Sequence, residues 1–144
     1  MIQFLFSANK EIAPQEISRV ASGGEISRLM LCLKTLLVKS SGLPTVIFDE
    51  IDTGVSGEVA DKMGSIIAEL SQHMQVINIT HLPQVAAKGK YHYKVYKEDH
   101  SDFTQTKVRE LTADERITEI AKLLSGEKLT DAAMENARHL LGFS

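Results

Sequence analysis

The run Thr45-Val46-Ile47-Phe48, closed by the acids Asp49-Glu50, constrains the fold more than any other segment. It is too short for a helix, and its apolar residues do not alternate with polar ones. Such a run predicts a strand buried on both faces, as in a parallel sheet. Helical spacing flanks it on both sides. Before it, Ile26, Leu29, Met30, Leu33, Leu36 and Leu37 recur at intervals of three and four, and Gly42 and Pro44 end the pattern. After it, beyond a loop with Gly54 and Gly57, come Val59, Met63, Ile66, Ile67 and Leu70. Gln75-Val76-Ile77-Asn78-Ile79-Thr80 is a second strand candidate. This order predicts an α/β fold with a mainly parallel sheet and flanking helices.

The rest of the chain is subordinate to that unit. Ile2 to Phe6 reads as a short strand, and Asn9 to Ser18, broken by Pro14, as loop. Pro83 starts a short helix after His81. Tyr91 to Lys97 and Thr104 to Leu111 read as strands on either side of the polar turn Glu98 to Asp102. Two helices finish the chain, with Ile117, Ile120, Ala121 and Leu124 on one face, then Ala133, Ala137, Leu140 and Leu141 on the other helix. The 144 residues are 43% hydrophobic and carry a formal charge of -3, which argues against a histone-like grip on nucleic acid but allows a local basic patch. One cysteine, Cys32, excludes an internal disulfide. With no apolar run of about 18 residues and no leader pattern, a soluble cytoplasmic chain that meets no membrane is expected.

Ligands of open α/β sheets gather at the carboxyl ends of strands. Asp49-Glu50 stands at one such end and Thr80-His81 at another. A carboxylate at a strand tip suits Mg²⁺, which keeps much of its water, and a neighbouring carboxylate can orient or deprotonate an attacking water. Ser22-Gly23-Gly24-Glu25 opens the first long helix with a capping-box pattern. Its two glycines leave the N–H groups and the positive dipole end open to a phosphate. Taken singly, each feature also fits a solvated loop or a plain helix cap.

In combination they follow one order, which resembles the second half of an ABC-type ATPase head. Ser22 to Glu25 match its signature motif, Val46 to Glu50 its Walker B strand, Asp52 its D-loop acid and His81 its switch histidine. Within that superfamily the chain is similar to the RecN family of bacterial DNA repair proteins, relatives of the SMC proteins. The likeness lies in Val20 to Arg28, Ile47 to Gly57, Thr80 to Ala86 and Glu115 to Ala121. Transporter heads usually carry Leu and Gln where Ala21 and Glu25 stand.

The resemblance implies the carboxyl-terminal lobe of an ABC/SMC-type head. Residues 1–110 would form the signature and Walker B lobe, with the helices of 111–144 packed on the same domain. No G-x-x-x-x-G-K-[ST] sequence occurs, so the phosphate-cradling P-loop is absent and is expected earlier in a longer protein. The implied cofactors are ATP and Mg²⁺, held between two heads. Ser22, Gly23, Gly24 and Glu25 would meet the γ-phosphate side, Asp49 the metal, Glu50 the attacking water and His81 the γ-phosphate. Asp52 would meet the nucleotide and couple the paired sites. The implied partners are the amino-terminal P-loop lobe, a second head in an ATP-dependent homodimer, and DNA, in a cytoplasmic, nucleoid-associated setting. This chain by itself is then expected to be inactive.

Two other readings stay open on the sequence. One is a magnesium-dependent nuclease or phosphotransferase with Asp49, Glu50 and Asp52 as metal ligands; the other is a non-catalytic interaction module. Lys88 to Lys97 mixes cations with tyrosines, which suits nucleic acid. Alternation would place Lys90, His92, Lys94 and Tyr96 on one face and Tyr91, Tyr93 and Val95 on the other, as in any half-exposed strand. Arg28 reads as an ion-pair partner of Glu25, and Cys32 as a packing residue. The histidines lack zinc-type spacing.

Overall fold

The computed structural model describes residues 4–7, 10–17, 23–42, 44–126 and 128–143. In order, its elements are β1 (Leu5–Phe6), β2 (Gln15–Glu16), α1 (Gly23–Ser41), β3 (Thr45–Asp49), α2 (Gly57–Leu70) and β4 (Gln75–Ile79). Then follow α3 (Pro83–Ala86), β5 (Tyr93–Asp99), β6 (Thr104–Glu110), α4 (Ala113–Ser125) and α5 (Asp131–Leu141).

The βαβ unit expected from the apolar run is present. β3 and β4 pair in parallel from Thr45 opposite Gln75 to Asp49 opposite Ile79. Alternation along β3 turns Val46 and Phe48 inward. There they meet Ala60, Met63, Ile67 and Leu70 of α2, Leu31 of α1 and Val85 of α3. The outward residues Ile47, Ile77 and Ile79 stay exposed, Ile47 at 61%. The uninterrupted run predicted burial on both faces; among the described residues only one face of this pair is covered.

The β3–β4 pair is parallel, as the sequence order implies. Among the described residues, the other two strand pairs, β1–β2 and β5–β6, are antiparallel. Parallel strands need a crossover of a dozen or more residues, and neither connection supplies one. β2 falls inside the segment expected to be loop. Pro14, which lacks an N–H, precedes it, and the Ile17 amide extends the pairing by donating to the Phe4 carbonyl at 3.1 Å.

In the hairpin, Val95 faces Val108 and Tyr93 faces Glu110. Its alternation is as expected, but the polar face is the one turned toward the helices. Lys94 bridges to Glu119 of α4 at 2.6 Å and Arg109 to Glu115 at 2.7 Å. Burial opposes the charge of Glu119, yet hydrogen bonds from Lys94 and Lys122 outweigh it and hold this carboxyl below its usual range. Tyr91, Tyr93, Val95 and Val108 are left outward and exposed.

A capping box at Thr112 and Glu115 starts α4, and Thr130 caps α5. Ile117, Ile120 and Ala121 of α4 close a second core with Ala133 and Ala137 of α5 and with Ala87, just past α3. The tail helices are thereby joined to the end of the element that follows His81. No helix among the described residues is long and apolar enough to cross a membrane.

The phase of α1 corrects two expectations. Among its described side chains Leu31 is the fully buried one, whereas Ile26, Met30, Leu33 and Leu36 of the apolar stripe are exposed, Leu36 at 76%. Cys32, expected to pack inside, is exposed. One residue past Leu31 the helix has turned about 100°, which carries the thiol off the packed face.

Candidate functional site

β3 carries Asp49 and Glu50 to its carboxyl end, both exposed. The Glu50 amide donates to the Ile79 carbonyl at 3.0 Å, so the ladder continues one residue past the strand. There the chain turns sharply: Glu50 has φ 46, the one positive φ at a non-glycine position among the described residues. That conformation costs an L-residue about 1–2 kcal/mol. The Glu50 carbonyl accepts from the Thr53 amide at 3.2 Å and the Thr53 hydroxyl at 2.8 Å, which fixes the turn. An acid held in a strained turn at a strand tip is the kind of outlier that clusters at functional sites.

Asp52, expected to meet the nucleotide and couple the paired sites, is enclosed in this chain, with 1% of its surface exposed. Its Oδ2 accepts a hydrogen bond from the Thr80 hydroxyl, while Oδ1 has no partner. The Thr80 oxygen in turn accepts from the Leu82 amide at 3.0 Å. His81 lies between these two anchored residues and is itself exposed.

The first turn of α1 packs on the same loop. A Cβ added at Gly24 would stand 3.0 Å from the Thr53 carbonyl oxygen and 3.1 Å from Nη1 of Arg28. The missing side chain therefore lets the helix approach the backbone that holds Glu50 and Asp52. The Arg28 guanidinium lies against Gly24. Gly23 opens α1, and Glu25 is in its first turn, half-buried. Ser22 lies outside the described residues.

The structure thus joins Gly24, Asp49, Glu50, Asp52 and His81 through Thr53, Ile79 and Thr80. Asp49, Glu50 and His81 are exposed at the carboxyl ends of one parallel strand pair; Asp52 is beneath them. Among the described residues, no group of three or more His, Cys, Asp or Glu side chains could hold a metal ion. Thr80 was read from the sequence only as a strand-end residue, without its bond to Asp52. Its signal was a hydroxyl residue two positions before the amide it accepts from, a local turn pattern.

No protein-family model matches the chain. DNA repair protein RecN of Rickettsia bellii is 46% identical over 97% of this chain. The RecN proteins of Haemophilus influenzae and Bacillus subtilis are each 40% identical, over 96% and 98% of it. The chain is RecN-like. It spans about a quarter of the length of these relatives, 26% of the first. Solved SMC structures share the fold. One, described under ATP-driven dimerization and DNA-stimulated activation of SMC ATPases, superposes with a TM-score of 0.56 at 21% identity, covering 82% of this chain and 70% of that one. The SMC head domain from Thermotoga maritima gives 0.53 at 24% identity, over 70% of this chain and 36% of that one. The RecN-like chain therefore has the α/β fold of an SMC head.

Proposed function

We propose that this RecN-like chain is the carboxyl-terminal half of an ATPase head that acts in DNA repair and recombination. ATP binds between two heads, with the P-loop of one facing the signature turn of the other. Ser22 and the amides of Gly23 and Gly24 receive the γ-phosphate, with Glu25 closing the turn. Glu50 polarises the attacking water and His81 contacts the γ-phosphate. Asp52 couples the paired sites from an enclosed position bonded to Thr80.

Asp49 fits Mg²⁺ as a single exposed carboxylate, because this ion takes its remaining ligands from water and phosphate. When bound, the ion neutralises charge on the phosphates. The protein's own residues orient the nucleotide and position the water.

The observation that supports this reading best is the shared anchoring of Gly24, Glu50 and His81 on the ends of β3 and β4. The uncovered face of Ile47, Ile77 and Ile79 supports the amino-terminal P-loop lobe as a partner, since parallel sheets are buried on both faces. The names of the relatives and structural neighbours support DNA and a second head as the others, in a cytoplasmic, nucleoid-associated setting. A nuclease built on three acidic metal ligands has less support: Asp52 is enclosed and bonded to Thr80.

Reconstitution provides the test. This chain with Mg²⁺ alone should neither turn over ATP nor cleave DNA. Adding a folded segment that carries the P-loop should produce ATP turnover. DNA cleavage by the chain alone, or a folded mixture that hydrolyses nothing, would count against the proposal.

A further inference from the structure

We infer that Thr80 is a positioning residue for the acid and imidazole of this site, acting through its bond to buried Asp52. The inference rests on the ATPase reading and adds to it a residue that acts through its neighbours. Glu50 and His81 are carried by different loops, one after β3 and one after β4. The parallel ladder fixes the strands up to Asp49 and Ile79, and the Glu50 amide is fixed to Ile79. Beyond those points each loop needs its own restraint.

The Thr80 hydroxyl supplies a common one. The hydroxyl donates to Asp52 Oδ2, and its oxygen accepts from the Leu82 amide at 3.0 Å. Both directions of the hydroxyl are used. Asp52 is two residues after Glu50, and Thr80 is immediately before His81. One side chain therefore ties the turn of the acid to the turn of the imidazole and to the start of α3. The enclosure of Asp52 keeps water from competing for the bond, so the link is persistent rather than a surface contact. Small displacements of reacting groups are costly: about 1 Å can cost on the order of a hundredfold in rate.

The experiment compares Thr80→Val, which keeps the shape and removes the hydroxyl, with Thr80→Ser, which keeps the hydroxyl. In the intact protein, Thr80→Val should lower kcat about tenfold or more, with KM for ATP changed less than about threefold. Thr80→Ser should restore most of the rate. In the nucleotide-free protein, the Leu82 amide should exchange with solvent about tenfold faster or more in Thr80→Val than in Thr80→Ser. Thr80→Ala serves in the same role if the valine variant fails to fold. Normal kcat and unchanged exchange in the hydroxyl-free variant would overturn the inference, as would equal impairment by serine. Glu50→Gln run in parallel separates the two levels. If it is inactive while Thr80→Val is normal, the positioning role alone fails; if it turns over normally, the ATPase reading fails and takes this inference with it.

Discussion

Glu50→Gln in the intact protein is expected to retain ATP affinity within about threefold while turnover falls by about a hundredfold or more. Glutamine keeps the length and planarity of the side chain. The backbone strain at φ 46, the bond to Ile79 and the two bonds from Thr53 involve only main-chain groups of residue 50, so the turn should survive. What is removed is the negative charge and basicity that polarise the water. Heads that bind ATP but cannot hydrolyse it should accumulate as closed dimers, visible by light scattering as a nucleotide-dependent increase in mass. Steady-state hydrolysis at the parental rate would show that Glu50 has no part in the chemistry.

The largest effect on stability is expected at Phe48. Its ring is 4% exposed, belongs to the core between β3 and α2, and has the Lys34 ammonium 5.6 Å from its centroid. Phe48→Ala should cost about 3–5 kcal/mol in chemical denaturation, from lost burial and the cavity left behind. A loss below about 1 kcal/mol would mean that this core is not packed as described. The neighbouring Ile47 makes the contrast. Its side chain is exposed here, so Ile47→Ala should change the stability of this chain by only about 0.5 kcal/mol. If the P-loop lobe covers that face in an intact head, as proposed, the same substitution should cost about 2–5 kcal/mol there. The pair therefore reports on the missing cover as well as on the core.

Which features were legible in the sequence follows from where their causes lie. The βαβ unit was readable because its causes are local: a short apolar run, helical spacing and glycine stops. The capping box at Thr112 and Glu115 is local too, yet it was not read from the sequence. β1 and β2 were not readable as a pair, because two-residue strands contain no alternation to detect. For α1 the periodicity was right, but periodicity alone does not say which part of a broad apolar stripe is covered. Leu31 was buried while Leu36 and Cys32 were left outside.

The site divides in the same way. Asp49, Glu50 and His81 were marked by their position after strands, a property of the chain itself. The bond between Asp52 and Thr80 joins residues 28 apart, and no spacing rule links them. The left-handed turn at Glu50 was equally hidden, since glutamate is not a residue that favours it. Gly24 looked like a phosphate-binding glycine; its structural task, the close approach to Thr53, depends on a loop distant in sequence.

A structure of the intact protein with a non-hydrolysable ATP analogue and Mg²⁺ addresses the central claim most directly. The account predicts the γ-phosphate of one head within about 3 Å of the Gly23 and Gly24 amides of the other. On the head that supplies the P-loop, it predicts Asp49 at the metal's hydration shell, with Glu50 and His81 facing the same phosphate. A nucleotide bound away from the carboxyl ends of β3 and β4, with the first turn of α1 remote from any phosphate, would contradict it.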